Sequence, residues 1–145
     1  MFIKKASEFN SELYQAICRL VPLLGTHKMV PTQDDVITLI NSEASTLLVA
    51  RYPDENSEIV GILTISIYRV PTGVRSIVED VIVDDSMRRR GIAKALMKSA
   101  IEIARDAGAN GVALTSNPQR VEANHLYQNM GFAKRETNSY FYILK

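Results

Sequence analysis

Three consecutive arginines, Arg88, Arg89 and Arg90, stand directly before Gly91-Ile92-Ala93 and a stretch with helical periodicity. Positive side chains are unfavourable at the start of a helix, because its unbonded N–H groups already make that end partly positive. The arrangement becomes favourable when an anion occupies the helix mouth, and a helix amino terminus flanked by arginines suits a pyrophosphate. Gly91 and Ala93 keep bulk away from the backbone, which lets a phosphate approach the amides. A solvated charge run is the plain alternative. A nucleic-acid patch is less in keeping, since no aromatic residue interleaves the arginines. The lysine and Ser/Thr of a P-loop are missing, as is a Rossmann glycine triplet.

A second group, Arg120, Asn124 and Tyr127, recurs at i, i+4 and i+7, which sets it along one helix face beside an apolar stripe of Ala123, Leu126 and Met130. A polar side chain and a phenol on one line suit a helix flanking a cofactor; a core aromatic with an exposed amide next to it is the structural alternative. Glu79 and Asp80 precede Val81-Ile82-Val83, and strand alternation sets the two carboxylates on opposite faces. Glu79 shares parity with Val81 and Val83 and is the favoured base, with Asp80 or a water chain left open. His27 and His125 lack carboxylates at ligand spacing, so no metal is expected. Cys18 reads as a small buried hydrophobe.

The elements that must position these groups follow from pattern. A strand at Phe2–Ala6 leads to a helix capped by Ser7, with Leu13, Ala16, Ile17 and Leu20 on its apolar face. Pro22, Gly25 and Pro31 mark a loop, and Thr32 starts a short helix reaching about Asn41. Strands are expected at Thr46–Tyr52, Ile59–Val70 and Val74–Asp84, joined by turns rich in Pro, Asp, Asn and Gly. The next helix carries a stripe of Ile92, Ala95, Leu96, Ser99, Ile103 and Ala107 and stops at Gly108. A strand at Gly111–Thr115 follows. Asn117-Pro118 reads as a cap and first helical residue of a helix ending at Gly131, and Phe132–Arg135 and Tyr140–Leu144 as two last strands. The order predicts an α/β sandwich with one mixed sheet.

Composition bounds the rest. The 145 residues suit one domain spanning 1–145, and 46% hydrophobic with 23% charged residues is ordinary for a globular chain. A net charge of +1 supplies no general attraction for a polyanion, so nucleic acid is not the expected partner. With one cysteine, no signal-like start and no long apolar run, a cytoplasmic protein without membrane contact is expected.

Two motifs narrow this further. Arg88-x-x-Gly91-x-Ala93, leaving a Val-x-Val strand, resembles the acetyl-CoA signature of the GNAT (Gcn5-related N-acetyltransferase) superfamily. Ala123-x-x-Leu126-Tyr127-x-x-x-Gly131-Phe132 resembles that family's A-x-x-L-Y-x-x-x-G-F stretch, in the same order and at similar separation. The resemblance implies about seven strands, splayed between the fourth and fifth, flanked by about four helices. It implies acetyl-CoA as cosubstrate and an amine-bearing acceptor, a small molecule or a protein. Val81, Ile82 and Val83 would meet the pantetheine arm, and the amides of Arg89, Arg90, Gly91, Ile92, Ala93 and Lys94, with Arg88, the pyrophosphate. Asn117, Arg120, Asn124 and Tyr127 would flank the cofactor, with Tyr127 as the acid for the leaving thiolate. Histone-acetylating relatives carry their base glutamate where Ile77 stands here. A homodimer through Tyr140–Leu144 is a further implication. A non-catalytic coenzyme A sensor and a nucleic-acid-associated domain are the rival readings.

Overall fold

The computed structural model describes residues 1–145, which form two compact units, Met1–Leu114 and Thr115–Lys145. In the first unit the order is β1 (Phe2–Lys5), α1 (Ser11–Leu20), a 3-10 turn, α2 (Gln33–Asn41), β2 (Ser45–Arg51), β3 (Ile59–Val70), β4 (Gly73–Val83), a second 3-10 turn (Asp85–Met87) and α3 (Ile92–Asp106). The second unit contains α4 (Val121–Asn129).

The four strands form one antiparallel sheet in the order β1-β2-β3-β4. The α1 stripe, Leu13, Ala16, Ile17 and Leu20, joins Val36 of α2 over one face, meeting Leu47, Val49, Ile62 and Ile82. On the other face α3 approaches so closely that a Cβ at Gly61 would stand 3.2 Å from Ile92 and 3.3 Å from Leu96. The middle strands are therefore covered on both sides, and Leu20, Leu63 and Leu96 are fully enclosed. Each such burial contributes roughly 1.5–3 kcal/mol.

Several sequence expectations are corrected. Helix α1 is capped not by Ser7 but by Asn10, whose side chain accepts from the Leu13 amide at 2.8 Å; β1 pairing still holds Ala6, whose amide donates to Leu47. The buried stripe of α3 is Ile92, Leu96, Met97, Ala100 and Ala104, so Ser99 and Ala107 lie off it. Helix α4 begins three residues after Pro118, because Asn117 spends its side chain on the Gln119 amide at 2.9 Å and its carbonyl on Arg120, closing a turn first.

The sheet has four strands, not about seven, and it is antiparallel rather than mixed. Gly111–Thr115 contributes one parallel bridge, Ile77 to Ala113, in place of a strand. Phe132–Arg135 and Tyr140–Leu144 form no strand, and the side chains from Tyr140 to Leu144 are 68% to 90% exposed. Apolar, β-prone residues supply side chains for a strand, but a ladder also needs a partner for their N–H and C=O groups.

Glycines stop α3 and α4 by the same device. Gly108 (φ 76°) and Gly131 (φ 100°) are left-handed, and each pair of closing bonds has the Schellman pattern: Gly108 to Arg105 with Ala109 to Ala104, and Gly131 to Gln128 with Phe132 to Tyr127.

Candidate active site

The geometry of β4 departs from simple alternation. Ile62 faces Ile82 and Thr64 faces Glu79, so one step of β3 too few is matched by an extra residue on β4. That residue is Asp80, at φ 51°, the left-handed position of a β-bulge that glycine usually fills. A side chain there costs roughly 1–2 kcal/mol, less for aspartate, which tolerates the region better than most.

The bulge reverses which residues point where. Before it, the outward main-chain groups belong to Val74, Ser76 and Val78: Asn110 donates to Val74, Ala113 to Ser76 at 3.0 Å, and Val78 to Ala113 at 2.9 Å. After it, Asp84 donates to Val60 of β3 at 2.8 Å, so Ile82 also faces β3 and Val81 and Val83 turn their amides and carbonyls outward. Ile82, with its side chain in the core, offers neither backbone nor side chain to a ligand. The parity linking Glu79 to Val81 and Val83 fails for the same reason. Glu79 pairs with Thr64 and shares the α1–α2 face with Ile82, whereas Val83 pairs with Gly61 on the α3 face. Both Glu79 and Asp80 are exposed.

Beyond β4 the chain makes a built turn. The Asp84 carboxylate accepts from the Ser86 amide at 3.0 Å and its hydroxyl at 2.8 Å, and the Asp84 carbonyl from the Met87 amide at 2.9 Å. These bonds from Ser86, backbone first, hold the Asp84 pKa below its usual range, with nearby Arg19 adding to the effect. Arg89 (φ 64°) and Gly91 (φ 76°) are both left-handed, with Arg90 between them at negative φ. Such alternation curls successive N–H groups into a concave anion nest. Helix α3 then starts from Gly91 with no side-chain cap, and its first helical bond is Ala95 to Gly91. The amides of Ile92, Ala93 and Lys94 therefore have no acceptor within the helix.

The arginines are individually placed. Arg88 pairs with Asp85 at 2.7 Å, and Arg90 lies over the Tyr52 ring, 5.4 Å from its centroid. A Cβ at Gly91 would meet nothing within 4 Å, so open space lies over the nest. Open space, uncapped amides and flanking cations fit the diphosphate of a coenzyme A, and the outward Val81 and Val83 backbone fits an extended amide-bearing arm.

In the second unit, Tyr127 is buried, and this desolvation raises its phenol pKa against an opposing pull from Arg120. Its ring meets Phe132 edge-on, with centroids 6.0 Å apart. Asn124 commits both amide hydrogens to the Asn117 and Arg120 carbonyls, at 3.0 and 2.9 Å, leaving its Oδ1 as the polar group to offer. Asn117 likewise serves the turn before α4.

The acetyltransferase (GNAT) family model matches residues 11–132. The chain belongs to the GNAT family. Among curated relatives, N-acetyltransferase 8 of Homo sapiens is 43% identical over 61 residues, 42% of this chain and 26% of that protein. N-acetyltransferase family 8 member 2 of Rattus norvegicus is 42% identical over 59 residues, 41% and 25%. The match thus spans about a quarter of those relatives' length. In solved structures, an aminoglycoside acetyltransferase from an uncultured soil metagenomic sample shares the fold with a TM-score of 0.84 at 20% identity, over 99% of this chain and 96% of that one. A transcriptional regulator from Bacillus halodurans gives 0.80 at 22%, over 98% and 100%. The 6'-N-acetyltransferase of Acinetobacter haemolyticus gives 0.72 at 21%, over 100% and 99%.

Sequence pattern pointed to the Arg88–Ala93 turn but not to three residues that contact it or its arginines. Asp84 had a local signal, since Asp-x-Ser after a strand is an Asx-turn sequence. Arg19 and Tyr52 had none, being brought to the turn from remote elements. No helix is long and apolar enough to cross a membrane.

Proposed function

We propose that the protein is an acetyl-CoA-dependent N-acetyltransferase acting on a primary amine by direct attack in a ternary complex, with residues 1–145 as one catalytic domain. The observation that carries this reading is the nest at Arg89–Gly91 opening onto the uncapped start of α3, one turn beyond the outward Val81 and Val83 backbone. Membership of the GNAT family supports the same chemistry. The amides around Arg89–Lys94 bind the pyrophosphate and Val81 and Val83 pair with the pantetheine.

In the transfer step the amine nitrogen attacks the thioester carbonyl, the C–N bond forms, and the C–S bond breaks. Glu79, directly or through water, takes the proton lost by the amine. Tyr127 gives its proton to the departing thiolate; a phenol is already protonated at neutral pH, as an acid must be, and burial raises its pKa further. Asn124, through Oδ1, and Arg120 support that part of the site. A cytoplasmic setting accompanies this reading, and the exposed Tyr140–Leu144 run suits pairing with a second copy.

Two of the fold neighbours are aminoglycoside acetyltransferases, so amino sugars head the acceptor panel, followed by small amines and lysine peptides. Calorimetry should show binding of coenzyme A and acetyl-CoA, and thiol release should rise with one acceptor class. Tyr127→Phe should lower kcat by about a hundredfold with the acetyl-CoA KM little changed. Folded protein that produces no heat with either coenzyme would sink the reading, and unaltered turnover in Tyr127→Phe would remove the acid.

A further inference from the structure

The pyrophosphate turn is held from outside by a residue of the first helix. Arg19, in the last turn of α1, is partly exposed, and its guanidinium has three partners. Its Nη2 donates to the Ile59 carbonyl at 2.6 Å, its Nη1 lies 3.4 Å from the Glu58 carboxylate, and its Nε lies 3.7 Å from Asp84 Oδ2. The other Asp84 oxygen, Oδ1, is the one that accepts both bonds from Ser86. Asp84 is thus a two-sided bracket, with α1 on one oxygen and the turn on the other.

We propose that Arg19 is a positioning residue for coenzyme A binding: through Asp84 it fixes the Ser86–Gly91 turn in the shape that aims its amides at the pyrophosphate. This rests on the reading of that turn as the coenzyme site. An anion nest must be preorganised to bind well, because an unsupported turn would lose freedom on binding and weaken affinity accordingly. The Ile59 carbonyl makes Arg19 more than a surface partner. Its bond fixes the guanidinium against the start of β3, beside Val60, which accepts from the Asp84 amide.

The test compares Arg19→Met, Arg19→Lys and Glu58→Gln with the wild-type chain. Arg19→Met should raise the calorimetric Kd for coenzyme A by about three- to fivefold, the scale of a partly exposed charged contact. The acetyl-CoA KM should rise equally while kcat and the acceptor KM stay within about twofold of wild type. Arg19→Lys, keeping a donor and the charge, should recover part of the affinity, and Glu58→Gln should leave it unchanged. In the unliganded protein, amide exchange at Ser86–Arg90 should quicken in Arg19→Met and not in Glu58→Gln. Unchanged Kd and exchange in folded Arg19→Met would overturn the proposal, as would an equal loss in Glu58→Gln. Should the wild-type chain bind no coenzyme at all, the site reading fails by itself, and the exchange measurement still decides whether Arg19 holds the turn.

Discussion

Helices α2 and α3 lie in the same unit and begin in opposite ways. At α2, Thr32 accepts from the Asp35 amide at 3.1 Å, and the Asp35 carboxylate accepts from the Thr32 amide at 2.9 Å, a closed capping box. Asp34 and Asp35 add negative charge at that positive end. At α3, the cap position is a left-handed glycine without a side chain, no acidic residue stands in the first turn, and three arginines precede it. One helix mouth has donors met by its own side chains; the other has no side-chain cap, as the proposed pyrophosphate site requires. The contrast shows why a helix start is read by what its sequence withholds as much as by what it supplies.

The largest effect should come from Gly91→Val. A β-branched residue at φ 76° costs roughly 1–2 kcal/mol and distorts the nest, so coenzyme A affinity should fall about 10- to 100-fold in calorimetry. No atom lies within 4 Å of an added Cβ, so the Cβ itself meets open space and the strain lies in the backbone. Retained affinity would erase the distinction between the two helix starts. Thr32→Ala should do the reverse: denaturant melts should show about 1 kcal/mol less stability, with the Kd for coenzyme A unmoved. A change in affinity there would mean that the two helix mouths are coupled.

The smallest effect is on pH dependence. The Asp84 pKa is lowered in the folded state, so its contribution is fully present above the unfolded aspartate value and is lost as pH falls through the lower folded value. In acid titration of the unliganded protein, Asp84→Asn should flatten the wild-type loss of stability below about pH 4 by a few tenths of a kcal/mol. An unaltered acid limb would show that the Ser86 bonds do not anchor the turn.

Much of this molecule was legible because its signals are local. Thr32 with Asp35, Gly108 and Gly131 are set by chemistry within a few residues, and they start or stop helices where expected. The Gly131-Phe132 pair even carries its own reason, since Phe132 supplies both a closing hydrogen bond and a ring contact to Tyr127. The Ile59–Val70 strand was legible for its length and β-branched content. Ser7 was misleading because a good capping residue does not decide where tertiary pairing of Ala6 lets the helix begin.

The sequence by itself determined the helix signals, the apolar runs, the arginine triplet before Gly91, and the paired motifs that mark the GNAT family. Only the tertiary structure decided that Asp80 is an extra residue in the β3–β4 ladder, that Arg90 lies over Tyr52, and that Arg19 reaches Asp84. The physical reason is range. Caps and turns close within one or two turns of chain, whereas register, strand partners and charge pairing depend on which distant segments the core brings together.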